Sequence, residues 1–354
     1  MRNWILVAGL ILHLALPVLP GPAAAEGLST TGAAPVSRPP ARPLDVGVGI
    51  KIDQITSVDQ KSENFGAVVS LRMVWDAPEL AFDPAGEGGE VKVMQPDDLI
   101  DLARERGAPV PCFVVENQQS NRWIHQAVVA VDSGGGIRYF EKSSLTLQAP
   151  YFNFRRYPFD TQTFFFEIMS VYPSQWVHFY PLEDVSGLGE LLGEEEWVFG
   201  NARMQLSSQP GLSGQESDRM ALRFEAHRQF SIMRCGSLPI LILIVVGWSS
   251  FFLEDYSKRI EIAGGNLLVF VAFNWAIAAD LPRLGYVTFL DFLLQCVFLV
   301  TGAIVVFNVL LSRLEAKGRA GAAALADKYV VKWIYPFGYA GVVLFAAYYY
   351  LWTG

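Results

Sequence analysis

Glu261 is a carboxylate set in an apolar run. Alternating steps of four and three from it reach Gly265, Leu268, Ala272 and Trp275. On an α-helix these five positions share one face. The stripe has one acid, several small side chains and two bulky apolar ones, with Asn266 and Asn274 beside it. It holds no nucleophile and no base. It does not suit lipid either, because an ionisable group inside an apolar span is costly and marks a functional position. A plainer reading pairs Glu261 with nearby Lys258 or Arg259.

A second constellation lies at residues 151–168, YFNFRRYPFDTQTFFFEI. A strand-like aromatic run is broken by Arg155 and Arg156. A turn follows at Tyr157-Pro158-Phe159-Asp160, and the alternation then resumes. Two cations, a rigid ring, an aromatic and an acid at one hairpin tip suit a contact surface better than a catalytic centre. Other chemistry is missing from the sequence. Motifs for phosphate cradles, nucleophile elbows and zinc-binding His pairs are absent. Cys112, Cys235 and Cys296 are an odd number without close spacing, which argues against a disulfide framework or a metal site. The four His form no cluster, and no cofactor is expected. The net charge of -8 gives no reason to expect nucleic acid.

The elements that carry these residues divide the 354-residue chain in two. Residues 1–25 have a basic start, an apolar core and a run of alanines, as in a cleaved signal peptide. Residues 26–43 read as a flexible lead-in. Residues 44–228 alternate apolar and polar positions between turn signals. Val69, Leu71, Met73 and Trp75 fall on one face. Similar strands are predicted at 112–116, 126–131, 137–141, 162–168, 196–205 and 221–230, with a hairpin turn at Gly134-Gly135-Gly136. This density of short strands predicts an antiparallel, immunoglobulin-like β-sandwich. Residues 97–106 instead carry helical spacing. The acidic run Glu194-Glu195-Glu196 reads as a solvated face.

Residues 229–354 hold four apolar stretches, near 231–252, 259–280, 286–311 and 329–352. Each is long enough to cross a hydrocarbon core of about 30 Å. Lys258 and Arg259 sit in the first link. Arg313, Lys317, Arg319, Lys328 and Lys332 flank the third. The positive-inside rule places those ends in the cytoplasm. The sandwich, the link at 280–286 and the C-terminus then lie outside, around a multi-pass protein of the cell (inner) membrane.

With FRRYPFDTQ at the junction of an exported sandwich and four helices, the chain resembles the pentameric ligand-gated ion channels, the Cys-loop receptor superfamily, in its prokaryotic branch. The segments LPILILIVVGWSSFFLEDYSKR and LPRLGYVTFLD are similar to landmarks of its proton-gated and amine-gated members. The resemblance implies a homopentamer in a lipid bilayer with the second helix of each subunit lining a pore for permeant ions. Glu261 would then lie near the cytoplasmic mouth. Leu268 would form a hydrophobic constriction, and Trp275 an upper gate. It implies that Pro158 holds the turn and that Phe159 inserts near the link LPRLGY, residues 281–286, which opens with Leu281, Pro282 and Arg283. Asp160 would pair with Arg155, Arg156 or Arg228. The sequence departs from the family pattern as well. Pro150 and Phe164 stand where other members carry the loop cysteines. The Trp-x-Pro of the first ligand loop is missing, and Ser207–Arg219 holds no aromatic.

The implied function is a ligand- or proton-gated, cation-selective channel. An anion-selective channel, with Lys258 and Arg259 facing the axis, and a non-conducting ligand sensor are the alternatives. The agonist is an unidentified small molecule or protons. Tyr172 and Trp176 are candidate ligand contacts. Asp59 and Glu63 are candidate proton sensors, Glu63 because it matches a sensing position of an acid-gated member. That member's helix His is replaced here by Phe270.

Overall fold

The computed structural model describes residues 42–87, 89–193, 196–211, 214–229 and 237–353. The expected signal peptide, most of the lead-in, and Glu194 and Glu195 lie outside the described residues.

Alternation builds the first half. β1 (Leu44–Asp59) and β2 (Asn64–Asp76) form a long hairpin with Asp59 opposite Asn64. Every second side chain of β2 from Phe65 to Trp75 is buried, the period-2 pattern of a half-buried strand. In β1 the inward set runs Val46, Val48, Ile50, Ile52 and then jumps to Ile55. A register shift between Ile52 and Gln54 absorbs the extra residue, as a β-bulge does. The other strands are β3 (Val91–Met94), β4 (Phe113–Val115), β5 (Trp123–Asp132), β6 (Gly136–Gln148), β7 (Thr161–Ser170), β8 (Val177–Pro181), β9 (Gly187–Leu188), β10 (Trp197–Pro210) and β11 (Glu216–Arg228). One sheet runs β3-β5-β6-β2-β1-β8 with β9 also on β1, and the other runs β10-β11-β7-β4. The pairing is not antiparallel throughout. β8 and β9 lie parallel to β1, because the chain leaves β7 in one sheet and crosses to the edge of the other.

Between the sheets lies an aromatic cluster centred on Phe164. Its ring meets Phe65 at 5.0 Å, Phe152 at 5.3 Å, Phe224 at 5.7 Å and Trp197 at 6.0 Å. Such pairs contribute roughly 0.5–1.5 kcal/mol each beyond burial. The loop that other members of the resembled family staple with a disulfide is here held by a buried ring.

Two short helices interrupt the sandwich, α1 (Pro84–Glu87) and α2 (Pro96–Arg106). α2 starts with Pro96 and buries Leu99 and Ala103. It ends at Gly107, whose φ of 69° is left-handed, the usual role of glycine after a helix.

The second half is helical: α3 (Ser237–Ser249), α4 (Tyr256–Asp280), α5 (Phe289–Ala316), α6 (Ala320–Ala326) and α7 (Tyr335–Ala347). Residues 327–334 and 348–353 continue the last helices with π-helical turns. The final helical stretch thus starts near residue 320, earlier than the sequence pattern predicts. Tyr256–Ile277 and Phe289–Ala316 are long and apolar enough to cross a membrane, and Pro239–Phe252 is a shorter apolar helix. Ile240, Phe251, Phe270, Leu294, Val297 and Tyr339 belong to their shared core.

Gly135 turns the β5–β6 hairpin at φ 88°, and a Cβ there would stand 2.5 Å from the Ala77 carbonyl oxygen. Gly135→Ala is expected to destabilise the protein by about 1–3 kcal/mol, read as a lower melting temperature of the detergent-solubilised chain.

Candidate functional site

The tip at 155–160 sits on the helical half. The Arg155 carbonyl accepts a hydrogen bond from the Phe289 N–H at 2.9 Å, at the start of α5. The Phe154 N–H donates to the Tyr286 hydroxyl at 3.0 Å. The Arg155 guanidinium lies 5.3 Å from the centre of the Tyr286 ring. Tyr157 and Ile277 pack against both the sandwich core and the helical core. The Tyr157–Pro158 peptide is cis.

Of the three candidate cations, Arg228 holds Asp160. Its Nε donates to Oδ1 at 2.9 Å and its Nη2 to Oδ2 at 3.4 Å. Both side chains are buried. Gln162 also bonds Asp160, and Gln60 accepts from Arg228 at 2.8 Å. The guanidinium is flanked by the rings of Trp197 at 4.3 Å and Tyr157 at 4.8 Å. Arg228 ends β11, the last strand before the helical half, so one buried ion pair ties the tip to the chain's route into the helices.

Phe159 lines a cavity with Tyr286, the last residue of the link. It is 44% exposed and meets Phe289 edge-on at 5.8 Å. The link's own anchor is Leu281, which is buried among the sandwich core residues. Pro282 is half-buried and Arg283 exposed. Phe159, Arg155 and Arg156 border a cavity of about 560 Å³, together with Tyr286, Tyr349 and Tyr350. The reach of Tyr349 and Tyr350 to the tip had no signature in the sequence.

The predicted stripe lies on the outside of α4. Glu261, Gly265 and Ala272 are exposed, and Leu268 and Trp275 are 74% and 76% exposed. Ala263, Asn266 and Phe270 are buried, with Phe273 and Ile277 half-buried. At 100° per residue the centres of the two stripes are about 160° apart. Asn266 uses its buried face, donating to the Leu243 carbonyl at 3.4 Å.

Arg259 does not pair with Glu261. It is buried and forms a two-point ion pair with Asp327, Nη1–Oδ1 at 2.6 Å and Nη2–Oδ2 at 3.2 Å. Its Nε donates to the Leu253 carbonyl at 2.7 Å. Lys258 is exposed. Glu261 makes no ion pair among the described residues.

The candidate sensing residues are scattered over the sandwich. Asp59 caps the β1–β2 turn, accepting from the Ser62 hydroxyl at 2.7 Å and from the Lys61 and Ser62 N–H groups at 3.0 Å. The Ser62 hydrogen bonds hold its carboxyl below the usual range. Glu63 sits in the same turn at a left-handed φ of 51°. Tyr172 is buried with its hydroxyl 3.9 Å from the Cys112 sulfur, and stacks on half-buried Trp176 at 6.2 Å. Burial pushes the Cys112 thiol up to about 11. Two polar contacts of the sandwich had no signal in the sequence. His178 Nδ1 meets Asp218 Oδ2 at 2.7 Å, joining β8 of one sheet to β11 of the other. Glu167 meets Arg219 at 2.8 Å, and burial raises its carboxyl despite that partner.

Residues 31–230 match the family model of the neurotransmitter-gated ion-channel ligand binding domain. The chain is 26% identical over 270 residues to a proton-gated ion channel of Gloeobacter violaceus, covering 75% of this chain and 72% of that protein. It is 23% identical over 312 residues to the glycine receptor subunit beta of Homo sapiens and of Rattus norvegicus, covering 80% of this chain and 60% of those proteins. These relatives are ion channels and not enzymes. The family match takes in the whole sandwich, both partners of the Arg228–Asp160 pair and the tip that rests on α5. The chain belongs to the pentameric ligand-gated ion channels, the Cys-loop receptor superfamily, and is like the prokaryotic members.

Proposed function

We propose that this chain is the subunit of a homopentameric, cation-selective channel of the inner membrane, opened by a ligand or by protons, with α4 lining the pore. The observation that carries this reading is the exposed stripe of α4. A helix whose own bundle buries one face, and whose opposite face carries Glu261, Gly265, Leu268, Ala272 and Trp275, suits a partly aqueous surroundings on that second side. Facing lipid alone, Glu261 would be an unpaired acid in hydrocarbon. Around an axis, rings of Leu268 and Trp275 make constrictions that shut by dewetting. On this reading the chain crosses four times with the sandwich and the C-terminus outside, which the basic residues of the first and third links support.

Cation selectivity rests on charge. Neighbouring Glu261 carboxylates ~8 Å apart repel by about 2 kcal/mol at an effective dielectric of ~20, which favours cations held between them. The anion-selective alternative needs Lys258 and Arg259 toward the axis; the Arg259 guanidinium is instead bound to Asp327, which leaves exposed Lys258 as its one cation. As to the stimulus, the resembling channel of Gloeobacter violaceus is proton-gated. Asp59 is a poor sensor in mild acid, because its Ser62 contacts keep it charged there. Glu63 remains the acid of that turn to examine first.

Motion of a rigid sandwich reaches the pore through the tip. Arg228–Asp160 fixes the tip to β11, and the Arg155 carbonyl and Phe159 touch Phe289. Such contacts, with two discrete packings, can transmit a conformational change.

Glu261→Gln is expected to move the reversal potential of reconstituted protein in a salt gradient toward the anion value. An unmoved potential would remove Glu261 as the filter. Asp160→Asn leaves a buried guanidinium without its counter-charge and is expected to cost about 3–5 kcal/mol. Melting of the solubilised protein should show that loss, and Asp160→Asn/Arg228→Gln should recover part of it.

A further inference from the structure

The last helical stretch, from residue 320 onward, carries a single acid, Asp327, far in sequence from α4, and the sequence gives it no role. In the structure it takes both Nη atoms of Arg259, at 2.6 and 3.2 Å. The third donor position, Nε, is used by the Leu253 carbonyl at 2.7 Å. The guanidinium also lies 4.9 Å from the centre of the Tyr256 ring. Arg259 is 4% exposed. Each of the three guanidinium nitrogens therefore has a partner inside the protein.

Helix geometry says where that is. Arg259 stands four residues before Ala263, on the same face as Ala263, Asn266 and Phe270, and away from the stripe of Glu261. The exposed charges along residues 254–261 are then Glu254, Asp255, Lys258 and Glu261. Three carboxylates stand against one ammonium. Asp255 also caps α4, accepting from the Ser257 N–H at 2.8 Å. With Asp327 neutral, Arg259 would add an uncompensated cation to this end of α4, and the excess of negative charge would fall by half.

We propose that Asp327 is a positioning residue for ion selectivity: it acts through Arg259, cancelling that charge and holding it off the ion path, so that Glu261 sets the sign of the entrance. This rests on the reading of α4 as the pore helix. It assigns the start of the final helical stretch a part in selecting ions, although that stretch contributes nothing to the stripe. Glu315 is the other acid of this corner, near enough to act on Tyr256.

The test is a set of reversal-potential measurements in salt gradients at low ionic strength, on full-length protein reconstituted in liposomes. Asp327→Asn is expected to lower the cation-over-anion permeability ratio by at least tenfold, since one unit charge ~10 Å from the ion path at an effective dielectric of ~20 already disfavours a cation by roughly that factor. Arg259→Gln/Asp327→Asn is expected to restore the wild-type ratio, because the cation is gone. A merely structural pair would alter expression or melting but not the reversal potential of the channels that conduct. Should Asp327→Asn fail to assemble, Asp327→Ser carries the same test with a smaller neutral side chain. Glu261→Gln is measured alongside. If it moves the reversal potential and the Asp327 variants do not, the role of Asp327 is overturned and the pore reading stands. If neither moves it, both are overturned. A double variant as altered as Asp327→Asn alone also overturns the proposal, since Arg259 would then not be the carrier of the effect.

Discussion

One helix has to satisfy two surroundings. α4 buries Ala263, Asn266 and Phe270 in its own bundle and leaves Glu261, Leu268 and Trp275 uncovered on the other side. That division is enforced at both ends. At the start, Arg259 is tied to Asp327 and to the Leu253 carbonyl, which fixes the rotation of the first turn. At the far end, Leu281 is buried in the sandwich core, which fixes where α4 stops. A rotation by half a turn would bury Glu261 in an apolar core and strip Arg259 of its partners. Each change costs several kcal/mol for an unpaired buried charge.

The sandwich supplies the other requirement of the proposal, a closely packed body behind the tip. Its aromatic cluster around Phe164 packs the base of the tip in place of a covalent staple. β11 spans the second sheet and ends in Arg228, whose guanidinium meets Asp160, Gln60, Trp197 and Tyr157 at once. The tip rests on Phe289 and Tyr286, so the proposed coupling runs from β11 through the tip to the start of α5. His178–Asp218 joins the two sheets near the opposite end of the same strand.

Local features of this arrangement were legible in the sequence because they depend on period and on turn chemistry. Alternation found the face of β2. Helical spacing found α2, and Gly134-Gly135-Gly136 found the β5–β6 turn. The α4 stripe followed from steps of three and four. Features that depend on distant pairing were not legible. Three arginines could have taken Asp160, and the one that does lies 68 residues away. Arg259 and Asp327 are separated by the same interval, and no periodicity relates them. Phe159 meets Phe289 of α5, far along the chain, and no local pattern relates the two. The parallel edge of β8 on β1 required knowing where the chain crosses between sheets. Tyr172 belongs to a strand-end pattern that does not reveal that its hydroxyl turns inward to Cys112.

The central claim is that water touches α4 on the side its own bundle leaves open. Single cysteines placed along residues 261–275 of reconstituted protein, treated with a membrane-impermeant, water-soluble thiol reagent, test it most directly. The account predicts modification, with a change in current, at 261, 265, 268, 272 and 275, and protection at 263, 266 and 270. Modification with the opposite phase, or with no helical phase at all, would contradict it.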